Sequence, residues 1–360
     1  MHPDFDYVLP DGESSRLTDI LNVIDRVGVV AERGGARGVV FGGDLFHTPR
    51  AVQTGVYVKT FKRLKALAAK VDNLVLNSGN HDIPSLRVGL PVAAGYPFSA
   101  VENLHVAAGA PEAYKLLPTG GTQYGVRVHA VPYAESLEPL MRYVREVSVD
   151  KNYRNLLVTH CGLEGAVCGP NEVKLLGGAA LNELCLEKFD FVFAGHYHHP
   201  QRLAGGKVVV IGSPLQMNML DRGDKRGVII YDSEANSYKR VWLPGPEFHM
   251  LDVAGADDLD NLRGMENLVG GYVRATVTDR TLALDVVREV LTGLGVRRFD
   301  VRRGRVASVA PRDAEITLKA SRGGLAEAVK PYVEKMAPKE LKKKRLIAVG
   351  EEILSAVRNE

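Results

Sequence analysis

The apolar runs of this chain are short, and several are stopped at once by small or polar residues. Gly38-Val39-Val40-Phe41 is cut off by Gly42-Gly43-Asp44. Asn73 to Asn77 ends in Ser78-Gly79-Asn80-His81-Asp82. Asn155 to Thr159 ends at His160, and Asp190 to Ala194 ends in Gly195-His196-Tyr197-His198-His199. Such runs, bounded by turn residues, read as buried strands. Helical patterns lie between them. Leu17, Ile20, Leu21, Ile24 and Val27 recur at helical spacing up to about Arg33, with Ser14 or Ser15 as N-cap. Val52, Val56, Thr60, Leu64 and Leu67 share one face of a second helix. Strand–loop–helix alternation specifies an α/β fold. In open α/β sheets the carboxyl ends of the strands converge on the ligand crevice, and all the polar clusters named above sit there.

Further along, Val126 to Val131 reads as a strand, and Lys207 to Trp242 is mostly strands. Pro244-Gly245-Pro246 is the best linker. After it, YVRATVT alternates as a strand, LALDVVREVLTGLG is an amphipathic helix closed by Gly295, and RRFDVRR is another strand. From about Gly323 the pattern is helical, and Leu346, Val349, Ile353, Leu354 and Val357 form an apolar stripe. The predicted organisation is a main domain over 1–245, a small α/β unit over 246–320 and a helical segment over 321–360. At 360 residues the chain has room for a large domain and a smaller one. With 45% hydrophobic and 25% charged residues it can bury a real core. The net charge of +3 leaves any nucleic-acid affinity to local patches. Cys161, Cys168 and Cys185 form no CxxC pair and read as reduced thiols in a cytoplasmic protein. No apolar run approaches the roughly 20 residues of a membrane span, and no signal peptide is visible.

The clusters supply Asp44, Asn80, His81, His160, His196 and His198. Imidazole mixed with carboxylate and amide oxygen suits a hydrolytic Mn, Fe or Zn centre rather than a thiolate structural zinc. Two such ions about 3.5–4 Å apart can share a carboxylate and stabilise both the attacking and leaving oxygens of a phosphoryl transfer. Taken singly, each cluster has a plainer reading. A lone His at a strand end is usually a hydrogen-bonded structural residue, and a lone Gly-Asp is usually a turn. Their occurrence in order, each after a buried strand, is what argues for a site.

The set GD, GNHD, H and GHxH resembles the calcineurin-like metallophosphoesterase superfamily. GDLFH and the later GSPLQMNMLDRGDKRGVIIYD look most like the SbcD-type DNA repair and recombination nuclease subunit and its phage relatives. The resemblance implies a four-layer αββα sandwich with a small capping domain. It also implies two divalent ions, most often Mn²⁺. Residue by residue, it makes Asp44 the ligand shared by both ions. Asn80, His160 and His196 complete the second, and His198 belongs to the first. His81 would sit beside the scissile phosphate, stabilise developing charge and protonate the leaving oxygen, with Asp82 orienting its ring. His47 and His199 are extra histidines, read as outer or surface residues.

The superfamily also has an Asp-x-His motif after an N-terminal buried strand, and here the sequence departs from the pattern. Either Asp4-Phe5-Asp6 is a variant of that motif, or Met1-His2 is its tail. The second alignment accounts for the missing strand and aspartate together, and makes His2 a first-metal ligand. The implied activity is a metal-dependent DNA exonuclease and single-strand endonuclease. The implied partners are DNA, an SbcC-type coiled-coil ATPase docking the C-terminal helices, and a second copy of the chain; the Val52–Leu67 face is either a dimer site or simply core. Arg297, Arg298, Arg302, Arg303 and Arg305 form a cluster that could meet DNA phosphates, or a solvated basic hairpin. Pro338 to Arg345 is a basic run of the solvated-helix kind. The alternatives are a small-molecule or protein phosphoesterase and a catalytically impaired DNA-binding subunit.

Overall fold

The computed structural model describes residues 5–48, 50–83, 93–116, 123–168, 173–174, 178–304 and 344–349. Contacts group Met1–Val306 into one compact unit and Ala307–Glu360 into another. The helices of the first unit are α1 (Ser15–Arg33), α2 (Thr54–Ala68), α3 (Glu138–Glu146), α4 (Ala256–Arg263) and α5 (Leu284–Gly293). Its strands begin with β1 (Gly38–Phe41), β2 (Asn73–Asn77), β3 (Leu104–Ala107), β4 (Glu112–Leu116), β5 (Gly125–Val131) and β6 (Tyr153–His160). They continue with β7 (Val167–Cys168), β8 (Val173–Lys174), β9 (Phe191–Gly195), β10 (Gln201–Leu203) and β11 (Val208–Val210). The last are β12 (Gly227–Asp232), β13 (Ser237–Trp242), β14 (Phe248–Val253), β15 (Tyr272–Val277) and β16 (Arg298–Arg303).

Two sheets face each other. The first is parallel, in the order β1-β2-β3. The second runs β10-β11-β9-β6-β5-β4, with β5, β6, β9 and β11 parallel and the edges β4 and β10 antiparallel. Successive side chains of a strand point to opposite faces. In β2, Val75 therefore packs with Ala107 and Ala130 between the sheets, while Leu74 and Leu76 pack outward against α1 and α2. Strands buried on both faces read as continuous apolar runs, which is why β2, β6 and β9 were legible. On the far side, Leu157, Val192, Ala194 and Val208 meet α3 through Leu140, Met141 and Val144. The layers are thus helix, sheet, sheet, helix, the αββα sandwich that the resemblance implies.

Ser14 caps α1 by accepting from the backbone N–H of Leu17 at 3.1 Å. The apolar face of α2 is spent inside this core, where Leu64 is fully buried and Val52 and Val56 pack beside it. Of the two readings of this face, core and dimer site, this packing supports core. The sequence also missed β3, β4 and β14, whose short or charged runs give no clear pattern.

The parallel sheet β14-β15-β16 carries its own core with α4 and α5, centred on Val273, Ala275, Val287 and Leu291. Its other side is tied to α1 by a buried polar knot. Asp19 accepts from the Tyr272 hydroxyl at 2.8 Å, from Arg297 at 2.7 Å and from Arg16 at 3.2 Å. The Arg16 guanidinium lies over the rings of Phe248 and Tyr272, 5.1 and 5.0 Å from their centroids. Arg297 also donates to the Tyr7 hydroxyl at 3.0 Å. This withdraws Arg297 from the cluster expected to face DNA, whereas Arg298, Arg302 and Arg303 are exposed. Arg305 lies outside the described residues. In the second unit residues 344–349 are helical, with Leu346 and Val349 exposed; Ile353, Leu354 and Val357 lie outside the described residues. Among the described residues no helix is long and apolar enough to cross a membrane.

His129 on β5 is fully buried, and its neighbours fix its tautomer. The Asn155 amide donates to the carbonyls of Asp150 and Tyr153, so its Oδ1 faces His129 Nε2 at 3.2 Å. Nε2 therefore donates, and Nδ1 accepts from the Tyr143 hydroxyl at 2.7 Å. Burial pushes this imidazole below its usual value, Arg127 adds to the effect, and the Asn155 bond only partly opposes it. The folded chain thus holds His129 neutral while the unfolded chain takes a proton below about pH 6.5. This contribution to stability is complete above that pH and is lost as pH falls towards the depressed folded value. Urea unfolding between pH 7.5 and 5.5 should show a steeper loss of stability in the wild type than in His129→Gln, by up to about 1.4 kcal/mol per pH unit. Parallel curves would contradict the assignment.

Candidate metal centre

The carboxyl ends of β1 and β2 in one sheet meet those of β6 and β9 in the other. Register does part of the work, since His160 at the end of β6 lies beside Gly195 at the end of β9. Asp44 and His196 follow their strands in left-handed backbone conformations, at φ +61° and +91°. Non-glycine residues rarely adopt such angles, and where they do the surroundings enforce them. Two glycines allow the loops to close. A Cβ on Gly43 would lie 2.2 Å from His160 Nδ1, and one on Gly79 would lie 2.1 Å from Asp44 Oδ1.

The donor atoms converge. Asp44 Oδ2 lies 3.3 Å from His160 Nε2. Asn80 Oδ1 lies 3.1 Å from His160 Nε2 and 3.1 Å from His196 Nδ1. One ligand atom each from Asp44, His160 and His196 falls within 4.8 Å of the others. His160 is almost wholly buried, and its Nδ1 lies 2.7 Å from the Gly42 carbonyl, to which it must donate. In a neutral ring Nε2 is then a lone pair facing two oxygens. Only a positive charge, a proton on the ring or a cation among the donors, makes that arrangement favourable. A carboxylate, an amide oxygen and two imidazoles within reach of one point fit a divalent transition metal.

The same charges act on the carboxylate. Burial works to raise the Asp44 carboxyl, but the His160 hydrogen bond and charge, with the His81 backbone N–H at 2.9 Å, outweigh it and hold the group below its usual range. Burial lowers His196, and the neighbouring His160 lowers it further.

His81 stands at the rim. Its Nδ1 lies 2.9 Å from the His47 carbonyl, and its ring stacks on that of His47 at 5.0 Å and 19°. Asp82 was expected to orient the His81 ring. Buried Asp82 instead accepts backbone N–H groups from Phe46 at 2.9 Å, Leu45 at 3.2 Å and Gly79 at 2.9 Å. It is the tie between the loop after β1 and the loop after β2. Burial raises its pKa and the Asp44 charge adds to that, against the lowering by these three bonds.

The remaining expected residues lie apart from the convergent set. His198 holds Asp221 through Nδ1 at 3.1 Å, and His199 holds Asp224 at 2.6 Å. His2 and Asp4 lie outside the described residues. Asp6 accepts from the Ser14 and Ser15 hydroxyls and from the Arg16 backbone N–H at 3.2 Å, so it braces the start of α1. Asp221, Asp224 and Arg226 were missed by the sequence reading. They lie in a charged turn with no apolar period, many residues after the histidines they support.

Asp82→Asn should lower stability by about 1–3 kcal/mol in denaturant melts, because an amide NH₂ would face backbone donors left unsatisfied. Unchanged stability with a selective loss of activity would restore the role of orienting His81.

Residues 1–200 match the family model described as calcineurin-like phosphoesterase. The chain is 25% identical over 123 residues to the SbcD component of the SbcCD nuclease of Staphylococcus saprophyticus, covering 34% of this chain and 32% of that protein. It is 27% identical over 113 residues to the same component of the SbcCD nuclease of Staphylococcus epidermidis, covering 31% and 30%. The alignments thus span about a third of the length of these curated relatives. With this order of donors on an αββα sandwich, the chain belongs to the calcineurin-like phosphoesterase family.

Proposed function

We propose that the chain is a metal-dependent DNA nuclease, the counterpart of the SbcD component in an SbcC–SbcD-like complex. The observation that carries this is the convergence of Asp44, Asn80, His160 and His196 beside His81, whose backbone N–H binds Asp44. The partial likeness to two nuclease components supports DNA as the substrate. In this reading the chain would hold two divalent ions, most often Mn²⁺, with Asp44 a ligand to both. Asn80, His160 and His196 would complete one ion's set, and His198 with His2 would serve the other. Such ions would supply Lewis-acid charge and an activated water. The chain's own residues do the rest. His160 is fixed by the Gly42 carbonyl and Asp44 by the His81 N–H, so the donors are set before substrate arrives. His81, with Nδ1 anchored on the His47 carbonyl, presents Nε2 to the phosphoester and delivers a proton to the leaving oxygen. The exposed Arg298, Arg302 and Arg303 on β16 supply phosphate contacts, which neutralise charge without reading sequence.

The expected test uses Mn²⁺ and labelled single- and double-stranded DNA. His81→Ala should cut the rate at least about 100-fold while Mn²⁺ binding stays unchanged. Turnover of small phosphoesters without cleavage of either DNA would favour the small-molecule reading instead.

The assembly is proposed on the terminal apolar stripe, of which Leu346 and Val349 are exposed on the helical residues 344–349. An SbcC-type coiled-coil ATPase in the cytoplasm would cover it, and two nuclease chains would pair in that complex. The full chain should co-purify with the cognate ATPase, and a chain ending near Gly323 should not. Equal recovery of both would contradict the docking.

A further inference from the structure

The segment from Ser213 to Arg226 holds a buried ionic group that the site described above does not use. Asp221 is 5% exposed and Arg226 is 4% exposed. The Arg226 guanidinium pairs with Asp221 Oδ1 at 3.4 Å and Asp224 Oδ2 at 3.3 Å, and donates to the Asp221 carbonyl at 3.1 Å. Its Nη1 also donates to the His198 carbonyl, and the Ser213 N–H donates to that same carbonyl at 3.0 Å. Asp221 Oδ2 accepts the Met217 N–H at 2.8 Å. Both oxygens of Asp221 face His198 Nδ1, at 3.1 and 3.2 Å. His198 is therefore gripped at its carbonyl and at one ring nitrogen, while its side chain is 44% exposed.

We infer that Asp221, clamped by Arg226, is the positioning residue that fixes His198 in its Nδ1-protonated tautomer and offers Nε2 to a divalent cation. An ionised carboxylate accepts only, so a neutral His198 must carry its proton on Nδ1. The lone pair is then left on Nε2 of a side chain that is part exposed. A carboxylate behind an imidazole also makes the free nitrogen a better donor. A purely structural ion pair between Asp221 and Arg226 would not need an exposed imidazole as a third member. His160 meets the same demand differently, through the Gly42 carbonyl. Asp224 treats His199 as Asp221 treats His198, and Arg226 joins the two carboxylates.

The inference rests on the reading of the centre as a divalent-metal site, and the test separates the two. Ring ¹⁵N shifts of His198 in the metal-free full chain at pH 8, assigned with His198→Gln, report the tautomer directly. The wild type should show protonated Nδ1 and bare Nε2, and Asp221→Asn should shift His198 towards a mixture. Calorimetric titration with Mn²⁺ should show one ion weakened about 10–100-fold in Asp221→Asn, the other ion unchanged, and partial recovery in Asp221→Glu. A wild-type His198 protonated on Nε2 overturns the inference, whatever the variants do. So does a folded Asp221→Asn with wild-type tautomer and affinity. A wild type that binds no divalent ion, yet shows the predicted tautomer shift, overturns the metal reading and leaves Asp221 as the residue that sets His198.

Discussion

Electron-pair donors do not face one another at 3.1–3.3 Å unless positive charge lies among them. His160 Nε2 faces Asp44 Oδ2 and Asn80 Oδ1 in this way, with His196 beside them, and the surrounding loops hold these groups there. Removing the positive charge leaves the Nε2 lone pair of a neutral His160 against two oxygens. Supplying it as a divalent cation turns the same atoms into a ligand set. His160 makes this choice sharp, because the Gly42 carbonyl commits its Nδ1 and leaves Nε2 to face the two oxygens.

Holding such a group together costs energy that the two sheets offset. Asp44 and His196 each sit at positive φ, a conformation that costs on the order of 1–3 kcal/mol. Each follows closely on a strand of the sandwich, whose position the core fixes. Asp82 adds a second constraint by binding three backbone N–H groups from two loops, so the segment carrying Asp44 and the segment carrying Asn80 and His81 move as one. Further out, Gln216 links the supporting segment to the small sheet. Its Oε1 accepts the Phe248 N–H at 2.6 Å, and its backbone carbonyl accepts from Arg16 at 2.9 Å. The stretch that backs His198 and His199 is thus also the stretch on which the small sheet leans.

Much of this was legible in the sequence because two signals coincide. Buried parallel strands give uninterrupted apolar runs, and their carboxyl ends carry the reactive residues, so Asp44, Asn80, His160 and His196 announced themselves by position. What failed was anything set by tertiary pairing alone. The resemblance made Asp82 the partner of its neighbour His81, and nothing in the sequence showed that its oxygens bind backbone groups near Asp44. Arg297 looked like one of several free arginines until Asp19, on a helix at the other end of the chain, claimed it. Asp221 and Arg226 belong to an irregular turn, and no periodicity marks a turn as the support of a histidine. The short strands β3 and β4 and the strand β14 are defined by their neighbours more than by their own residues.

What matters most is whether these donors surround a divalent cation. Crystals of the chain grown with Mn²⁺ and measured at the manganese absorption edge test it directly. The expected result is an anomalous peak bounded by Asp44, Asn80, His160 Nε2 and His196 Nδ1. Well-ordered density for these side chains with no anomalous signal among them would contradict it.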